Sequence, residues 1–147
     1  MEMIPVRLGH VIIDEQNDSH AVILVEIAGE RRLSIGIGAV EAMAIQRGVV
    51  EDRFPRPLTH DLMAIMLTAL RGDLQAVHIH DMQQGTYFAE LLIQRGEDHE
   101  LRIDARPSDA LALAVRVPGC QLLVAEELLD YGQDAFDLED ESDLEDE

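Results

Sequence analysis

LSIGIGAVEAMAI at Leu33 to Ile45 and LRIDARPSDALAL at Leu101 to Leu113 align without a gap when the chain is slid along itself by 68 positions. Leu33, Ile35, Ala42 and Ala44 then meet Leu101, Ile103, Ala110 and Ala112. The same shift lays Ile23 to Arg31 on Leu91 to His99, sets Gly29 near Gly96 and matches His10 with His78. The pattern reads as the duplication of a half-domain. The competing reading is that two apolar periodic stretches resemble each other by chance.

Each half reads as strands followed by helices. Val6, Leu8, His10 and Ile12 alternate with Arg7, Gly9, Val11 and Ile13 as a strand, and Ala21 to Ala28 with Arg31 to Ile37 form a hairpin around AGE. A helix is expected near Val40 to Arg47, closed by a loop at Gly48 to Leu58 that holds Pro55 and Pro57. Thr59 suits the N-cap of a second helix running through Arg71, with Leu62, Ile65, Met66 and Ala69 as its apolar stripe and Gly72 as its stop. Met63 and Met66 are expected to fill the core. The second half predicts strands near Leu74 to Met82, Thr86 to Arg95 and Glu100 to Asp104, a helix Pro107 to Arg116, a strand Gln121 to Val124 and a terminal helix Ala125 to Tyr131. Three strands plus two helices, twice, make an α+β domain over residues 1–133, with repeats at about 1–71 and 72–131. Residues 134–147 hold nine acids and no base, so they are expected to stay solvated and disordered as an acidic tail.

Charge narrows the function. The chain has 147 residues and a formal charge of -19, and removing the nine tail acids still leaves -10 on the body. Such a body repels phosphate backbones at long range, so any nucleic-acid chemistry must be local. All 11 basic residues are arginine, which excludes lysine-based covalent chemistry but leaves planar donors for phosphate or carboxylate. The single Cys120 rules out an internal disulfide and reads as a small buried residue. MEMIPVRLGH lacks a signal-like apolar core and no apolar run reaches the roughly 20 residues of a membrane span, so a cytoplasmic protein with no membrane partner is expected.

DARPSDALALAVR at Asp104 to Arg116 crowds charge onto a helix entrance. Pro107 fits the first helical position, and Ser108 and Asp109 favour the amide-rich end. Arg106 lies within ion-pair reach of Asp109, so these charges could simply fasten the helix. Alanines at 110, 112 and 114 allow a neighbouring element to approach closely. Together with PRPLTHDL at Pro55 to Leu62, HDMQQGTYFAEL at His80 to Leu91 and IGIGAVEAMAI at Ile35 to Ile45, this segment resembles the signature of the bifunctional nuclease (BFN) domain family. The resemblance runs in order from Met3 to about Tyr131. It implies a duplicated α+β fold with a barrel-like sheet and helices packed outside, a homodimer, and nuclease activity on RNA and DNA like that of plant members. Two departures stand out: His80 occupies the position of the family's IND asparagine, and an acidic tail replaces the UVR-type motif of plant members.

Phosphodiester cleavage needs an activated nucleophile and a stabilised charged transition state. Under the resemblance, His60, Asp109 and Asp104 are the candidate catalytic residues, and Arg56, Arg106 and Arg116 the candidate phosphate ligands. Thr59, Asp61 and Ser108 would support them, and Asp81, Asp104 and Asp109 would hold Mg2+ or Mn2+. His78 and His80 share a strand face, but a third ligand to join them on a metal is not evident. The alternative is a non-catalytic binding or regulatory module in which the same acids and arginines pair internally.

Overall fold

A computed structural model describes residues 2–131, and the expected acidic tail lies outside them. Seven strands form one sheet: β1 (Met3–Asp14), β2 (Ser19–Glu26), β3 (Arg32–Ile37), β4 (Asp73–Gln83), β5 (Thr86–Arg95), β6 (His99–Ala105) and β7 (Gln121–Ala125). Three helices pack with it: α1 (Ala39–Val49), α2 (Thr59–Ala69) and α3 (Pro107–Ala114). The strand order is β3-β2-β1-β7-β4-β5-β6, so two antiparallel meanders flank β7, which runs parallel to β4 and antiparallel to β1. The sheet is open, with β3 and β6 at its ends, and the barrel-like closure expected from the family does not form among the described residues.

Local chemistry explains the elements. SHAVILVE in β2, the strand next to the β3 end, is buried on both faces over most of its length, which its near-continuous apolar run allows. The loop Gln84-Gly85 has positive φ at both residues, the mirror-image turn whose twist matches a two-residue hairpin. Helices α1 and α2 end on the same device. Glu51 and Arg71 adopt left-handed backbone, and the next amide of each reaches back, Asp52 to the Arg47 carbonyl and Gly72 to that of Leu67.

Helix α3 is the centre of the molecule. Every residue from Pro107 to Ala114 except Asp109 is buried, because α3 lies on β4 and β5 while α1 and α2 close around it. Its alanines let α1 come close, and the core joins Ala110 to Ala114 with Val22, Leu24, Ile45, Val77, Ile79 and Val124.

Three expectations need correction. The chain after β7 makes only a short 3-10 turn at Glu126–Leu128 instead of a terminal helix, because Asp130 bridges to Arg32 in an extended pairing. The second half therefore carries one α-helix where the repeat predicted two. Leu58, and not Thr59, caps α2, its amide donating to the Asp61 carboxylate at 3.0 Å. Met66 stands half exposed beside Leu62 and Ile65, while Met63, Ala64 and Leu67 face the core. The apolar stripe is thus rotated toward solvent.

Candidate functional site

The first turns of α2 and α3 meet, and there four polar side chains interlock. His60 Nε2 lies 3.1 Å from Asp109 Oδ1, and Arg106 Nε donates to Asp109 Oδ2 at 2.9 Å. Arg106 also reaches Glu41 of α1 at 3.3 Å. One residue further along α2, Asp61 turns the other way and accepts from Arg116 Nε at 2.7 Å, while Arg116 Nη1 donates to the Ala112 carbonyl at 2.6 Å. Helix α2 is therefore riveted to both ends of α3 by adjacent residues.

The electrostatics favour the ionised form of both carboxylates. Burial pushes the Asp109 carboxyl upward, but hydrogen bonds from Arg106 and His60 and their charges outweigh it and leave Asp109 below the usual carboxylate range. An ionised carboxylate only accepts, so His60 Nε2 carries the hydrogen. The remaining lone pair of a neutral His60 ring then sits on Nδ1, the nitrogen available to take a proton. Asp61 follows the same pattern: burial raises it, and Arg116 with the Leu58 amide holds it below its ordinary value.

A cleft of about 650 Å3 opens beside Asp61 and Arg116. Its walls include Arg47, Arg53, Phe54, Pro55, Pro57 and Ile65. Arg47 stacks over the Phe54 ring with its guanidinium carbon 5.7 Å from the centroid. Gly48, inside α1, makes the wall possible, since a Cβ there would come within 2.8 Å of Arg116 Nη1 and collide with the Val115 side chain.

The expected site residues divide. His60, Asp109 and Arg106 gather in one node, and Asp61 and Arg116 in the next, with Arg116 only 9% exposed. Arg56 is exposed between the two prolines that line the cleft, and Thr59 is exposed at the start of α2. Ser108 is buried in the first turn of α3, one residue beyond Pro107. Asp104 is exposed on β6, and Asp81 on β4 binds the Met82 amide and the Gln83 side chain. Among the described residues no three His, Cys, Asp or Glu side chains converge as a metal would require, so the expected trio of Asp81, Asp104 and Asp109 is not assembled. His78 faces Glu90 across the sheet, and burial lowers its pKa. Cys120 is half-buried, and burial, with Asp73 nearby, pushes its thiol up to about 11, which makes it a poor nucleophile at neutral pH.

Glu41, Arg47, Arg53 and Phe54 escaped the sequence reading. A signal for Glu41 was present: it aligns with Asp109 under the 68-residue shift, and both acids contact Arg106. The cleft residues had no such mark, because Arg53 and Phe54 lie in an irregular loop before Pro55, which has no periodicity, and Arg47 reads only as the end of a helix.

Residues 22–136 match the family described as the bifunctional nuclease domain. Two uncharacterized proteins from two strains of Mycobacterium tuberculosis are each 39% identical over 143 residues, covering 95% of this chain and 81% of theirs. Bifunctional nuclease 2 of Oryza sativa subsp. japonica is 27% identical over 107 residues, 71% of this chain and 33% of its own length.

Proposed function

Because the chain belongs to the bifunctional nuclease domain family, we propose that it cleaves phosphodiester bonds in RNA or DNA at the node where α2 meets α3. The observation that supports this most is the His60–Asp109 hydrogen bond at a partly exposed junction, with Arg106 on the same carboxylate. Under this reading His60 takes a proton from the attacking hydroxyl or water, and Asp109 stabilises the imidazolium that results. Arg106, well exposed beyond its two acid partners, presents its remaining N–H groups to the phosphate, with Arg56 and the cleft arginines placing the strand. Among the described residues no three His, Cys, Asp or Glu side chains gather around a common point, and no step here passes through a metal ion.

The test is cleavage of single-stranded RNA and DNA, with Mg2+ or Mn2+ and with EDTA, by the wild type and by His60→Ala and Asp109→Ala. Loss of about 100-fold or more in each variant, with the fold retained by circular dichroism, is the expected result. Cleavage surviving both substitutions sinks the proposal. One observation favours a binding module instead: Asp61 and Arg116 already satisfy each other as a brace between helices. That reading expects oligonucleotide binding without cleavage in every metal condition.

Two further expectations belong to the same reading. The meanders β1-β2-β3 and β4-β5-β6 descend from one duplicated unit, supported by the gapless alignment of Leu33 to Ile45 with Leu101 to Leu113. The protein also works as a homodimer, since an open sheet has edges to cover.

A further inference from the structure

The two ends of the sheet are treated differently. At β3, Leu33 and Ile35 are 5% and 4% exposed, packed into the core with Ile45 of α1 and with Leu129. Arg32 and Asp130 exchange backbone hydrogen bonds of 2.7 and 3.0 Å, and Leu129 enters the core. At β6 the positions that align with them, Leu101 and Ile103, are 37% and 45% exposed. Both lie on the core face, opposite buried Ile93 and Leu91. Among the described residues β6 pairs only with β5, so its outer edge offers a row of backbone donors and acceptors beside two uncovered aliphatic side chains.

The sequence of β6, HELRIDA, chooses the occupant. In an antiparallel pairing of two copies, opposed residues share a face, so each register makes a definite set of pairs. Centred on Arg102 or on Asp104, the strand sets like charges opposite each other, Arg102 on Arg102 or Asp104 on Asp104. Centred on Leu101, it sets Ile103 against His99. Centred on Ile103, Leu101, Ile103 and Ala105 meet Ala105, Ile103 and Leu101 on one face, while Arg102 meets Asp104 twice on the other. Arg102 remains over half exposed beyond its contacts with Glu90 and Glu100, and Asp104 is exposed.

We propose that two copies of this chain join β6 to β6 about a two-fold axis through Ile103, extending one sheet across both molecules. This deepens the homodimer reading above and rests on it. The pairing covers Leu101 and Ile103 with their own counterparts and satisfies the edge with main-chain bonds, as Asp130 does at the single position Arg32 of β3.

The experiment uses the full chain with Cys120→Ser as background. Sedimentation velocity gives the mass, and mild oxidation of Ile103→Cys and of Leu101→Cys gives the register. A dimer is expected, with Ile103→Cys forming a covalent dimer at least several-fold faster than Leu101→Cys. Asp104→Arg, which opposes Arg102 in the pair, is expected to weaken the dimer at least tenfold, and adding Arg102→Asp to restore it. A monomer overturns both this proposal and the dimer itself. A dimer in which Ile103→Cys does not cross-link, or cross-links no faster than Leu101→Cys, overturns this surface and leaves a dimer built elsewhere. Failure of the charge swap to restore the dimer overturns the register.

Discussion

At Asp109 burial works against ionisation, while Arg106 and His60 hold the charge in place. Its pKa is lower folded than unfolded, so its contribution to stability is fully present above the usual carboxylate range and is lost as pH falls through the folded value. Asp109→Asn should therefore lower Tm at pH 7 and approach the wild type as pH falls below the ordinary carboxylate range. Because the carboxylate is partly solvated, the difference at neutral pH is about 1 kcal/mol. Thermal melts of both proteins across this range check it, and a gap that widens toward acid contradicts the ion-pair account. Cys120 gives a second test at this scale. With its thiol raised to about 11, it should react with a thiol reagent at pH 7.5 far more slowly in the native protein than in denaturant. Equal rates would mean that Cys120 is open to solvent.

Helix α1 carries a glycine where a helix ordinarily prefers alanine. Replacing Gly48 with alanine should gain about 1 kcal/mol of helix propensity. At this position the new Cβ meets Val115 and comes within 2.8 Å of Arg116 Nη1, the same nitrogen that binds the Ala112 carbonyl. Overpacking of this kind costs about 1–3 kcal/mol. The expected net effect is destabilisation, with the cleft wall displaced and the Arg116–Asp61 brace loosened. Differential scanning calorimetry decides the sign, and a raised Tm would show that α1 and α3 can separate without cost.

For the molecule as a whole, the acidic body sets how nucleic acid is met. Residues 1–133 carry a formal charge of -10, and the arginines near the site are few and partly engaged by acids. About three phosphate contacts to a single strand give a slope of log K against log salt near -2, and the surrounding acids make it shallower. Fluorescence anisotropy of a labelled oligonucleotide from about 50 to 200 mM KCl measures this slope. A slope steeper than about -4 would require a basic surface that these arginines do not supply.

Most elements were legible along the chain, because their signals are local. Alternation marked the strands, and Pro107 opened α3 at the expected residue. It also brought forward His60, Asp109, Arg106, Asp61 and Arg116, whose motifs carry the family resemblance. It took the folded arrangement to show that, among the described residues, Asp81, Asp104 and Asp109 form no common cluster, that Glu41 joins Arg106, and that Leu101 and Ile103 of β6 stand exposed while Leu33 and Ile35 of β3 are buried. Each of these depends on which strands and helices become neighbours, and that is fixed by packing around the buried α3 between segments as far apart as residues 41 and 106. Periodicity along a chain reports which face of an element is apolar, but not what comes to lie against it.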